Sequence, residues 1–109
     1  MNALQELTGH VFKIDAAIIA ARVVLVDTSF DETKITLHDG HSLPAKVAFL
    51  QAIDIDYDNG YGSQWIQGTV WLSDGSWLER REYDGSEWWN HCTMPPLPQG
   101  MGLEISSDE

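Results

Sequence analysis

Trp71-Leu72-Ser73-Asp74-Gly75-Ser76-Trp77-Leu78-Glu79-Arg80-Arg81-Glu82-Tyr83-Asp84-Gly85-Ser86-Glu87-Trp88-Trp89-Asn90 is the stretch that decides the fold. It holds two Asp-Gly pairs, each between segments rich in aromatic and branched side chains. Asp-Gly suits a two-residue hairpin loop, because that loop needs positive φ at both positions. The flanking segments therefore read as antiparallel strands: Trp65–Ser73, Ser76–Tyr83 and Glu87–Asn90.

Two-residue loops also imply a register. With Ser73 opposite Ser76, Leu72 meets Trp77, Trp71 meets Leu78 and Val70 meets Glu79. One face then carries Ile66, Val70, Leu72, Trp77, Arg81 and Tyr83; the other carries Trp65, Trp71, Leu78, Arg80 and Glu82. At the second turn, Tyr83 opposes Ser86, which places Arg81 beside Trp88 and Arg80 beside Trp89. Each pair has the chemistry of a cation–π contact, worth about 0.5–2 kcal/mol. Large aromatics fall on both faces. One face must be core, and the other must be covered by the N-terminal segment, a twin subunit or a partner.

Upstream, Asp39-Gly40 predicts another hairpin after a Lys34–Leu37 strand, and the echo between Leu37–Leu43 and Leu72–Leu78 reads as a shared hairpin solution. Pro44 breaks or edges the returning strand, and Val47–Tyr57 reads as a long strand leading into Asp58-Asn59-Gly60-Tyr61-Gly62. Leu4–Leu7 predicts a short helix closed by Gly9. Ala16–Ala21 predicts a second, capped by Asp15, running into a buried Arg22–Val26 strand. The fold expected is mainly β, with α+β as the variant: an antiparallel meander of about five to six strands with a short N-terminal helix packed on one face. Residues 1–94 form the domain, and 95–109 form a Pro-rich and then acidic tail, extended and then disordered.

The chain has 109 residues, 43 % of them hydrophobic and 21 % charged, which is ordinary composition for one globular domain. The charge balance is not ordinary. Six Lys and Arg stand against seventeen Asp and Glu, for a net −11. That excludes the basic footprint of direct nucleic-acid binding or of docking on anionic lipid, and favours a positively charged partner. Cys92 is the lone cysteine, so no internal disulfide forms. Met1–Leu7 lacks a basic region ahead of an apolar run, and Ala16–Val26 is too short to span a bilayer, so a cytoplasmic protein is expected.

The sharpest local feature is Ile53-Asp54-Ile55-Asp56-Tyr57-Asp58. On a strand, period two puts Asp54, Asp56 and Asp58 on one face, with Glu79, Glu82, Asp84 and Glu87 extending the acidic surface along the meander. Against this stands the reading of a solvated outer face that guards a sheet edge. A calcium loop fails, because neither register from Asp54 or Asp56 places Gly at the sixth position and Glu at the twelfth. The four histidines lack zinc spacing, and His91 and Cys92, adjacent on a strand, point to opposite faces. Glu82 opposite Glu87 invites a glycosidase reading, but a chain of this size leaves little room for a cleft. Pro95-Pro96-Leu97-Pro98 ends the last strand. No catalytic residue, cofactor or metal is assigned.

In size, acidity and want of a catalytic signature, the chain resembles the class of small proteins that phages and mobile elements direct against bacterial defence, anti-CRISPR inhibitors and DNA mimics among them. The resemblance rests on no aligned motif and assigns no residue. It implies an inhibitor that occludes a basic, nucleic-acid-binding surface of a protein complex, and the acidic row read from the alternation is the surface of this chain that suits such a role. Two other readings accompany it. One is self-association into a homodimer through the Trp-rich sheet. The other is a small-ligand or carbohydrate module using Trp65, Trp71, Trp88 and Trp89 with Arg80 and Arg81.

Overall fold

The computed structural model describes residues 1–57, 64–95, 100–103 and 105. Two helices and five strands follow in the order α1 (Ala3–Ile14), β1 (Ile18–Val26), β2 (Glu32–Leu37), α2 (Leu43–Ala52), β3 (Ile66–Leu72), β4 (Trp77–Tyr83) and β5 (Ser86–Cys92). The strands form one antiparallel sheet in the order β2-β1-β3-β4-β5. The expected mainly-β fold with an N-terminal helix on one face is therefore present. A second helix joins it.

α1 starts at Asn2, whose side-chain oxygen accepts the Gln5 N–H, and buries Ala3 and Leu7, one turn apart. It does not close at Gly9. It runs on to Ile14 and ends at Asp15, whose left-handed backbone (φ 60) donates its N–H back to Val11 and Phe12. Asp15 is thus the end of a helix rather than the cap of a new one. The expected Ala16–Ala21 helix is absent: Ile18–Ala21 are the first residues of β1, whose branched Ile18 and Val23 are buried in the sheet.

α2 overturns the predicted Val47–Tyr57 strand. Ser42 caps the helix, Pro44 sits in its first turn where no N–H is needed, and Ala45, Ala48, Leu50, Gln51 and Ala52 are good helix formers. Phe49 and Ile53, four apart, are the buried pair. Asp39-Gly40 therefore makes no hairpin. It turns the chain from β2 into α2, with Gly40 at φ 77, and the echo with the Asp74-Gly75 loop is not a shared structure.

The two remaining Asp-Gly loops differ. Asp84 and Gly85 both take positive φ (51 and 84), and Tyr83 pairs with Ser86, Arg81 with Trp88 and Arg80 with Trp89, as the two-residue loop requires. At the first loop only Gly75 does (φ 86), and the chain closes by Leu72 N–H to Ser76 O and Gly75 N–H to Leu72 O. That is a three-residue loop, so the register is Trp71–Trp77, Val70–Leu78 and Thr69–Glu79. A slip of one residue exchanges the faces of β4 relative to β3.

The consequence is two chemically distinct faces. The inner face carries Ala21, Val23, Leu25, Leu37, Ile66, Val70, Leu72, Leu78 and Trp89, packed under α1 and α2 through Leu7, Phe49 and Ile53. The outer face carries Arg22, Lys34, Thr69, Trp71, Trp77, Glu79, Arg81, Trp88, Asn90 and Cys92, with no described element over it.

Candidate functional site

After α2 the chain runs extended from Ile53 to Tyr57 alongside the N-terminus. Ala3 N–H donates to Ile55 O, Tyr57 N–H donates to Met1 O, and Asn2 bridges Asp56. The alternation read from the sequence survives here without a sheet. Ile53 is buried and Ile55 and Tyr57 half-buried, while Asp54 and Asp56 are exposed and share the Asn2 side-chain amide at 2.9 and 3.1 Å. Asp58 lies outside the described residues.

The registers bring this segment to the same end of the sheet as the β1–β2 connection and the β4–β5 turn. Val26 N–H donates to Trp65 O just before β3 begins, and Glu87, next to the β4–β5 turn, reaches the N–H groups of Trp65 and Ile66. Asp27, Asp31 and Glu32 stand at this end from the first connection, Asp54 and Asp56 from the segment after α2, and Glu82 and Asp84 from the turn; all are exposed. The connections themselves, residues 27–31, 53–57 and 84–85, contain no Lys or Arg. Some of these carboxylates also order their own loops. Asp27 accepts the Ser29 and Asp31 N–H groups, and Glu82 accepts the Gly85 N–H. Between the β1–β2 connection and the 55–57 segment lies a cleft of about 490 Å³, walled by Trp65 and Tyr57 with Asp27 and Asp56 at its rim.

Three residues assigned to surfaces from the sequence belong instead to the interior. Arg80 is 8 % exposed, Glu87 2 % and Trp89 4 %. Arg80 donates from Nε and Nη2 to Glu87 (3.1 and 2.7 Å), from Nη1 to Glu6 (3.0 Å) and from Nη2 to the Tyr57 hydroxyl (2.6 Å). Its guanidinium lies 5.1 Å from the Trp89 ring centre and 5.4 Å from that of Tyr57. Tyr57 in turn donates to Glu6. Three elements, α1, β4 and β5, and the 53–57 segment meet at this one cation. Burial opposes its charge, but Tyr57, Glu87 and Glu6 outweigh that and hold its pKa above the ordinary value.

Tyr57 is shifted the same way. Burial, and then its hydrogen bond to Glu6, push the phenol well above its usual 10.0. The folded protein thus keeps a proton that the unfolded chain releases above about pH 10, so stability from this group is present below that pH and lost above it. Urea midpoints measured from about pH 8 to 11 should fall more steeply for the native protein than for Tyr57→Phe. Parallel curves would show that Tyr57 is not the group responsible.

The remaining aromatic and acidic candidates disperse. Trp65 is half-buried and stacks near Phe30, ring centres 6.4 Å apart. Trp71 and Trp88 lie on the outer face. Arg81 stands opposite Trp88 as predicted, but its guanidinium pairs with Glu79 at 3.0 Å instead of an indole. The Trp77 indole N–H and Arg81 together hold the Glu79 carboxyl below its usual range. Glu79 therefore sits on the outer face, away from Asp54 and Asp56, and Glu87 is consumed inside. The acidic surface drawn from the sequence loses both and gains Asp27, Asp31 and Glu32.

Sequence reasoning also missed a clasp at the opposite end. Ser76 donates its N–H and hydroxyl to Asp74 and meets His91 Nε2 at 2.8 Å. The hydroxyl and then the amide of Ser76 hold the Asp74 carboxyl below its usual range. The carboxylate contacts the serine and not the imidazole, so the relay order of a hydrolytic triad is not assembled. Among the described residues, no three His, Cys, Asp or Glu side chains converge to hold a metal ion, and no helix is long and apolar enough to cross a membrane. No family model matches the chain, and no curated protein or solved structure is significantly similar to it.

Proposed function

We propose that this is a non-catalytic binding protein whose carboxylate-lined sheet end occludes a basic, nucleic-acid-binding surface of another protein, in the manner of the inhibitors that mimic nucleic acid. The observation that carries the reading is the gathering of Asp27, Asp31, Asp54, Asp56 and Asp84, in connections free of Lys and Arg, with Glu32 and Glu82 at the strand ends beside them. Five strands at ~4.8 Å spacing spread these groups along about 19 Å, the scale of a short run of phosphates. Opposite charge would steer the encounter, and binding would weaken as salt rises.

The test is displacement of a fluorescent oligonucleotide from a panel of bacterial nucleic-acid-binding proteins, RNA-guided nucleases included. Displacement from at least one, weakened tenfold or more by combined Asp54→Lys, Asp56→Lys and Asp84→Lys, is expected, on the order of 1.4 kcal/mol or more. These side chains are exposed, so what the fold loses is the Asn2 contacts of Asp54 and Asp56 and the ease with which Asp84 takes its φ of 51. The variant's urea midpoint is measured beside its competition. If no member releases its oligonucleotide, or if the variant competes as well as the native protein, the proposal is wrong.

A further inference from the structure

The outer face of the sheet is the other feature that a solitary protein does not explain. Trp71 is 38 % exposed and pairs with the half-buried Trp77, while Trp88, 40 % exposed, stands further along the same face opposite Arg81. α1 and α2 both lie on the opposite face, with Leu7, Phe49 and Ile53 in the core. Indoles on an open sheet are costly to leave in water, and uncovered apolar patches on soluble proteins mark sites of association.

The charges on this face indicate what covers it. The registers place three of the six basic residues here, Arg22, Lys34 and Arg81, but only two of the seventeen acidic ones, Glu32 and Glu79. Arg81 and Glu79 already neutralise each other. The molecule thus carries its excess negative charge elsewhere and leaves this face nearly neutral. Two copies, each at −11, repel one another in most orientations and least when these faces meet. A strongly basic partner would be drawn to the carboxylate end instead.

We propose that the outer face is a homodimer interface, two sheets stacking face to face about a two-fold axis with the Trp71–Trp77 pair buried towards one end and Trp88 towards the other. Sheets pack about 10 Å apart in this way, leaving the helices outermost. Seven-residue strands and five of them side by side make a face of about 24 by 24 Å, so the pair covers roughly 1,100 Å² even before side-chain relief is counted. That clears the ~1,000 Å² that a specific interface needs. A two-fold axis makes the patch its own complement, as a near-neutral aromatic surface allows. Glu32 belongs both to this face and to the carboxylate-lined sheet end, but Asp27, Asp31, Asp54, Asp56, Glu82 and Asp84 lie off the interface, so the dimer stands independently of the function proposed above.

Sedimentation equilibrium on the full chain at ~0.15 M salt, from about 1 μM to 1 mM, tests it. The mass should rise from 12.2 kDa to twice that value. Trp71→Asp and Trp88→Asp should each weaken association about 30-fold or more, the behaviour of buried aromatic anchors. Phe12→Asp, at a residue 86 % exposed on α1, should leave it unchanged. If the Trp variants lose their fold, dilution of the native protein supplies the same test, because tryptophan emission should shift to the red as the dimer parts. A native mass of 12.2 kDa up to 1 mM overturns the proposal. So does a dimer that Phe12→Asp breaks and the Trp variants do not, or one that parts without a change in emission.

Discussion

Gly68→Ala should unfold this protein or come close to it. Gly68 lies in β3 opposite Val23 of β1, at the pairing that joins the two halves of the sheet. A Cβ added there would stand 2.0 Å from the Arg22 carbonyl oxygen and 2.9 Å from the Val23 Cα, both backbone atoms of a central strand. Neither can swing aside as a side chain would. Its φ of +137 is also one that L side chains rarely adopt, a strain of about 1–3 kcal/mol by itself. Together the two effects should cost at least about 3–4 kcal/mol, a large share of the ~5–15 kcal/mol available to a domain this size. In a thermal melt, that is a fall of roughly 15–30 °C. Gly75→Ala is the control. Its φ is +86, but open space surrounds it, so it should lose only about 1–2 kcal/mol. Equal losses at the two glycines would mean that the close approach of β1 to β3 is not what position 68 requires.

The two Asp-Gly-Ser loops show how far local sequence carries and where it stops. The tripeptide is the same at 74–76 and 84–86, yet only the second forms the two-residue loop. The difference lies at long range. Ser73 is tied to Ala17 by two hydrogen bonds, and the longer loop turns Leu78 inward beside Val70 while Trp77 faces out beside Trp71. Burial of Leu78, not the turn residues, decides the register. Position 47–57 fails for a related reason. The alternation of Ile53, Ile55 and Tyr57 is real, but it belongs to an extended segment after α2, and Ser42 with Pro44 is the stronger signal for what precedes it. Of the buried cluster, the register shows the Arg80–Trp89 pair. Glu6 and Tyr57 reach Arg80 from 74 and 23 residues away, and no periodicity encodes that meeting. The acidic end of the sheet was half legible: Asp54, Asp56, Glu82 and Asp84 stand out in the sequence. Asp27, Asp31 and Glu32 join them only through the order β2-β1-β3-β4-β5.

Arg80→Met should cost about 3–5 kcal/mol, the second large effect expected here. Methionine keeps much of the apolar stem, so the loss isolates the charge. Glu87, fully buried in its side chain, and Glu6, nearly so, would then face each other's field without a cation. Glu87 would keep the Trp65 and Ile66 N–H groups as donors, which satisfies its oxygens but not its charge. Arg80→Lys should recover little of this. One ammonium cannot reach Glu6, Glu87 and the Tyr57 hydroxyl with the geometry that the planar guanidinium supplies. Glu87→Gln should be milder, about 1–2 kcal/mol, because Arg80 retains Glu6 and the amide oxygen can still accept. The double variant Arg80→Met/Glu87→Gln should cost less than the sum of the singles, since removing the arginine already strands the carboxylate. Urea unfolding at neutral pH measures all four. The losses should hardly change between about 0.05 and 0.5 M salt, because water and ions do not reach the pair. An Arg80→Met loss under about 1 kcal/mol, or one that salt abolishes, would place this cation at the surface in solution and remove it as the anchor of the 53–57 segment. The acidic end depends on that anchor, since Tyr57 holds the Asp54–Asp56 segment to the sheet through Arg80.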